Sequence, residues 1–173
     1  MKDLKKFIAT TIREYLNEQN EILLAPNGNV SNLPKNLYEY VRTDEFKNWF
    51  GDWKNNSNDA SKVIDENGEP LIVYHGSSDT FDKFNKKYRG SSTNAKSAKL
   101  GFFFTDDIND ATSYSKRYAG GRLYKCFLNL RNPIIKNFNG ETINTDLELV
   151  KLIKNSNDGV IALNLKDGFV INN

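Results

Sequence analysis

His75 is the only histidine in the chain. It lies in the stretch Val73-Tyr74-His75-Gly76-Ser77-Ser78, at the end of an apolar run and directly ahead of a glycine. An imidazole changes charge near neutral pH, so it serves as a general base, a metal ligand or a neutral hydrogen-bonding group, depending on its company. The first two roles lack companions. A nucleophile needs its base within hydrogen-bond reach. Yet Cys126, the only cysteine, falls in an alternating strand pattern that reads as core, and no serine stands in a Gly-x-Ser-x-Gly turn. Zinc takes several nitrogen or sulfur ligands, and one histidine with one cysteine supplies too few, so no metal is expected. What remains is a structural histidine at a strand end, or a histidine that contacts a ligand there.

A second stretch bears on that choice. Gly101-Phe102-Phe103-Phe104-Thr105 reads as a buried strand that runs into a helix cap at Asp106 or Asp107. The helix that follows, 108–119, carries Tyr114 and is stopped by Gly120-Gly121. Between the two stretches, residues 85–100 hold Lys86, Lys87, Arg89, Lys96 and Lys99 and no acid. A loop of this composition is either solvated surface or a flap that closes over a phosphate-bearing ligand.

The totals limit the partners. With 173 residues the chain suits one domain with a helical appendage. Its 24 basic and 22 acidic residues leave a net charge of +2, too small to mark a nucleic-acid binder. A single cysteine excludes an intrachain disulfide and fits a reducing compartment. No apolar run approaches the roughly 20 residues of a bilayer span. Met1-Lys2-Asp3 opens a charged amphipathic segment rather than an apolar leader, so no membrane partner and a cytoplasmic location are expected.

The elements that must position His75 and Tyr114 follow from periodicity. Leu4, Phe7, Ile8, Thr11, Ile12, Tyr15 and Leu16 make one helical stripe within residues 1–20, expected to dock on the body of the protein or to serve as an arm for a partner. Residues 21–42 read as a linker, with a turn at Pro26-Asn27-Gly28-Asn29 and a helical turn from Leu37 to Val41. Thr43 should cap a helix ended by Gly51, with both tryptophans, Trp49 and Trp53, anchored in the core. From Lys62 two strands are expected around the turn at 66–70. Phe81 and Phe84 should pack together. Further strands are expected over 122–134 and 158–165, with a helix between them capped by Thr145, and a last turn and strand from 166.

The order and spacing of these motifs resemble the ADP-ribosyltransferase superfamily, in the branch of diphtheria toxin and the poly(ADP-ribose) polymerases, which has a His-Tyr-Glu signature. His75-Gly76-Ser77 matches its first motif. Gly101 to Tyr114 matches the second without a gap. The resemblance is closer still to small domains of phages and mobile elements, including polyvalent phage proteins, through "FKNWFGDW", "VIDENGEPLIVYHGSS" and "DGVIALN". It covers roughly residues 44–165 and implies an α+β fold: a split two-sheet architecture occupying 43–173, preceded by the helical segment. It implies NAD as substrate and a protein or nucleic-acid acceptor, in the host cytoplasm or the virion. On this likeness His75 would bond a ribose hydroxyl and Ser77 would add a hydroxyl contact. Gly76, having no side chain, would let nicotinamide approach the backbone, Gly101 would open the second motif, and Phe103 and Tyr114 would stack on the cationic ring. His75 and Tyr114 are the expected catalytic residues, and replacing either by alanine is expected to weaken NAD binding with little loss of stability. Phe103 stands where the family has a tyrosine.

The family's glutamate has no clear counterpart. Glu141 falls in a turn and Glu148 on a helix. "GFVINN" would be a worn form of the strand that carries it, with Gly168 at its position and Asp167 beside it; otherwise that strand lies beyond residue 173. Three readings stay open: a mono-ADP-ribosyltransferase, a binding module for NAD or ADP-ribose with impaired catalysis, and a phage structural or interaction protein that docks through the N-terminal helix.

Overall fold

The computed structural model describes residues 4, 5, 7, 8, 10, 11, 22–91, 95–116, 120–141, 146–165 and 170–172. Those between 4 and 11 are helical, with Leu4, Phe7 and Ile8 exposed, so the stripe does not dock on the body at these positions.

Helices α1 (Lys35–Tyr40) and α2 (Asp44–Phe50) lead in. The Thr43 hydroxyl caps α2 by accepting from the Phe46 amide at 3.3 Å, and Gly51 ends the helix at φ 97°. Phe46, Phe50 and Trp53 are buried together with Leu33, Val41 and Ala60. Trp49 departs from expectation: it is 47% exposed, because it lies on the flank of the stripe formed by Phe46, Phe50 and Trp53.

The expected linker is a packed part of the body. Leu24 bridges Val30 across the Pro26–Asn29 turn, and Asn27 and Asn29 both donate to the Asn67 side-chain oxygen, at 2.9 and 3.1 Å. The Glu69 carboxylate is wholly buried and is held by the Ser31 hydroxyl and the Arg42 guanidinium. That guanidinium lies 3.3 Å over the Tyr38 ring. A carboxylate removed from water must be paired, and its partners here come from the segment that composition marks as a linker. Of the two strands expected around 66–70, the second forms over Val73–Ser77, while the pairing between the two is a single bridge, Ile64 to Pro70, since proline has no N–H to extend a ladder.

Two small sheets follow. Strand β1 (Val73–Ser77) pairs antiparallel with β3 (Arg122–Cys126), with His75 opposite Tyr124. The second sheet has the order β2 (Phe102–Phe104), β6 (Val170–Asn172), β5 (Gly159–Leu163), β4 (Ile134–Asn137). Only β4 and β5 are parallel. The architecture is thus α+β, as expected. Helix α3 (Ile108–Ser115) runs from β2 back over β1, and α4 (Asp146–Asn155) covers the second sheet through Leu149, Ile153 and Val160. The main core lies between the sheets: Val63, Val73, Phe104, Leu128, Leu130 and Ile161. β3 stops at Cys126, short of the strand expected over 122–134, because the stretch beyond bonds to Ser61 and Lys62 rather than to a strand. The strand expected after 166 is present as β6, seated between β2 and β5. The Thr145 cap lies outside the described residues.

Candidate active site

Among the described residues one backbone bridge joins the two sheets. Tyr74 and Thr105 exchange backbone hydrogen bonds of 2.7 and 3.0 Å. In an antiparallel ladder the next pair along would be Gly76 with Phe103. That pair does not form; instead the Phe103 carbonyl accepts from His75 Nδ1 at 2.7 Å. The imidazole has replaced a rung of the sheet, and the strands split. Because backbone groups alternate edges along a strand, the N–H and C=O of Gly76 point to the same edge as those of Tyr74, into the gap.

The geometry fixes the state of the histidine. A carbonyl only accepts, so Nδ1 carries the proton and Nε2 presents a lone pair. Burial lowers the His75 pKa from its ordinary 6.5, against the opposing bond to Phe103, so the ring is neutral at pH 7. Rings hold it on several sides: Phe84 at 5.1 Å, Phe104 at 5.5 Å, Phe81 at 6.2 Å and Tyr124 at 6.4 Å between centroids. Removing this imidazole would therefore open a cavity and strip the Phe103 carbonyl of its donor. The small stability cost expected for His75→Ala is corrected upward, to about 2 kcal/mol or more.

Gly76 is a glycine for a reason other than ligand approach. A Cβ there would lie 1.8 Å from the Ala111 carbonyl oxygen and 3.0 Å from the Ser115 amide. The space beside its Cα is filled by α3, and its polar edge is what faces the gap. Gly121 repeats the device, its would-be Cβ 1.8 Å from the Ser115 carbonyl oxygen. Two glycines thus seat α3 on the β1–β3 sheet. The helix is capped by Asp107, which accepts from the Asn109 amide at 2.7 Å. Ala111 and Ser115, four apart, form its inner face, and Tyr114, next to Ser115, lies beside that face with 40% exposure.

Phe103 is two residues from Thr105 and Gly76 two from Tyr74, so both face the side that α3 covers. The Phe103 ring is backed by Leu100, Leu149, Ile153 and Val160. Gly76, Phe103 and the helix that bears Tyr114 therefore share one side, while the His75 ring, one residue along β1, lies on the other face among Phe84, Phe104 and Tyr124 and reaches the gap through its Nδ1 bond to Phe103. Ser77 is occupied differently: its hydroxyl accepts from the Asp79 amide at 3.1 Å and closes the turn after β1. Gly101 is buried at the entry to β2.

The basic loop is tied at both described ends. Asp146, at the start of α4, accepts from the amides of Lys96 at 2.7 Å and Ser97 at 3.1 Å, and the Arg89 guanidinium donates to the Leu100 carbonyl at 2.5 Å. These bonds, with that to the Ser97 side chain first, hold the Asp146 carboxyl below its usual range. Cys126 sits opposite Val73, and burial raises its thiol pKa. Glu148 is bonded to Lys136 of β4, at the sheet edge farthest from β2. The strands bordering the gap, β1 and β2, contain no glutamate, nor does β6 on the far side of β2. Asp167 and Gly168 lie outside the described residues. Among the described residues no group of three or more metal-ligating side chains is gathered, and no helix is long and apolar enough to cross a membrane.

Sequence reasoning missed Tyr124, Phe81 and Phe84 as the surroundings of His75. The available signal was the Phe81–Phe84 pair just after the motif, read as packing without a target. It also missed Ala111 and Ser115, whose small side chains at helical spacing announce a close helix–strand contact.

Two small sheets are thus joined beside a histidine and bordered by a helix that carries a tyrosine. Residues 65–167 match the family described as ADP-ribosyltransferase in polyvalent proteins, and the chain belongs to that family. The match begins at Asp65, so the packed segment with α1 and α2 precedes it. Comparison with curated proteins and with solved structures gave no match.

Proposed function

We propose that this protein transfers ADP-ribose from NAD to a host macromolecule. The observation that carries the proposal is the missing rung: the Gly76 N–H and C=O, turned into the gap by the His75–Phe103 bond, form a donor–acceptor pair complementary to the nicotinamide carboxamide. Tyr114 and Phe103 would hold the flat cationic ring between them, and Nε2 of the neutral His75 would accept from a ribose hydroxyl. Held this way, the bond between nicotinamide and ribose breaks through an oxocarbenium-like transition state, and the acceptor takes the ribose.

The absence of glutamate from β1, β2 and β6 favours a second reading, a module that binds NAD or ADP-ribose without turnover. Calorimetric titration with NAD, paired with an assay of nicotinamide release, separates the two. Transfer requires saturable binding and release; the module binds without release. Tyr114→Ala should weaken binding about tenfold or more while stability stays within about 0.5 kcal/mol, since the side chain is partly exposed. His75→Ala should lose both binding and stability. An intact chain that does not bind NAD refutes both readings.

A further inference from the structure

We infer that Tyr124 is a positioning residue for His75, acting through the loop that follows β1; its catalytic consequence rests on the transferase reading above. Tyr124 faces His75 across the β1–β3 pair. Its phenol makes two bonds to a single residue of that loop, donating to the Phe81 carbonyl at 2.8 Å and accepting from the Phe81 amide at 2.6 Å. The loop is thereby bonded to the phenol as one strand is bonded to another. The Phe81 ring stacks on the Tyr124 ring at 4.2 Å and 16°. Phe81 meets Phe84 edge-on at 4.9 Å, and Phe84 meets the imidazole edge-on at 5.1 Å. The chain of contacts runs from the Tyr124 hydroxyl to the imidazole of His75, whose Nδ1 bonds the Phe103 carbonyl.

The hydroxyl is what the loop lacks by other means. Among the described residues no strand pairs with 78–84, and the two backbone groups of Phe81 find in one phenol the partners a strand would supply. Removing that oxygen leaves the rings in place but frees the loop, and water then competes for the Phe103 carbonyl and for Nδ1. The tautomer that presents Nε2 as an acceptor is no longer enforced. Tyr124 touches no reacting atom in this scheme; it decides which nitrogen of His75 carries the proton.

A single histidine makes the test direct, because its imidazole is the only one in the spectrum. Nitrogen-15 NMR of the ring reports the tautomer, and a pH series reports its titration, with or without substrate. The intact chain should show Nδ1 protonated and a titration below the ordinary value of 6.5. Tyr124→Phe should give a mixed tautomer, a titration moved back toward 6.5 and a wild-type circular dichroism spectrum. Phe81→Leu, which keeps the hydroxyl but removes the ring that links Tyr124 to Phe84, should change the tautomer in the same sense, and an unchanged tautomer there breaks the chain of contacts if Tyr124→Phe does not fold. Nicotinamide release should fall about tenfold to a hundredfold in kcat/KM, with NAD binding weakened as well, because the Nε2 acceptor for the ribose hydroxyl is no longer enforced. An imidazole signal unmoved in the folded variants overturns the inference, whatever the activity. If the signal moves but the intact chain neither binds NAD nor releases nicotinamide, the positioning stands and the transferase reading falls.

Discussion

Gly76→Ala is the substitution that most directly probes how α3 and β1 build the gap. The added Cβ would stand 1.8 Å from the Ala111 carbonyl oxygen and 2.9 Å from its carbon, both backbone atoms that no side-chain rotation can move aside. Real Cβ contacts essentially never fall under 3.0 Å and ordinary ones lie at 3.4–4 Å, so the helix must retreat by at least about 1.2 Å. Overpacking of this kind costs roughly 1–3 kcal/mol, and a clash with a carbonyl inside a helix belongs at the upper end. In a chain of this length each kcal/mol lowers Tm by about 2–4 °C. Tyr114 rides on the same helix, and a shift of about 1 Å in a positioning group weakens function up to a hundredfold. The assay is a urea denaturation curve with NAD calorimetry on the same preparation. Gly140→Ala is the control: that glycine has φ +83° with nothing within 4 Å of its would-be Cβ, so its cost of about 1–2 kcal/mol is backbone strain alone and NAD binding should be unchanged. A Gly76→Ala chain that unfolds and binds like the parent would show that α3 does not rest on Gly76, and the account of the gap would be wrong.

Two other outcomes follow from buried groups. Because His75 is held below 6.5 when folded and returns to that value when unfolded, the unfolded chain takes up the proton first; the stability it contributes is complete above about pH 6.5 and falls as pH drops until the folded ring itself titrates, so His75→Gln should flatten the pH dependence of the urea midpoint in that window, and an unchanged slope would contradict the assignment. Arg42→Met leaves the buried Glu69 carboxylate without its cation and should cost about 3–5 kcal/mol in chemical denaturation, most of it recovered in the double variant with Glu69→Leu, whereas a loss under about 1 kcal/mol would mean the pair does not hold the 22–42 segment.

The local rules read well from the chain. Thr43 and Asp107 cap their helices, Gly51 ends one, and the Pro26–Asn29 turn closes where turn chemistry places it, because caps and turns are decided within a few residues. The motif residues His75, Gly76, Phe103 and Tyr114 were legible through spacing that resembles a known family. Spacing could not say why they matter. That Gly76 yields its side-chain space to Ala111, that His75 takes the place of a sheet rung at Phe103, and that Ser77 is spent on a turn all depend on contacts between segments far apart in sequence. The same holds for Trp49, exposed although its type predicts burial, and for Glu69, whose partners Ser31 and Arg42 lie in a stretch that composition marks as linker. Composition and periodicity determined that this chain makes short strands and capped helices with one histidine at a strand end. Only the tertiary structure decided that the strand opens there, because the opening is made by an imidazole competing with a backbone amide for one carbonyl, and that competition exists only once β1 and β2 lie side by side.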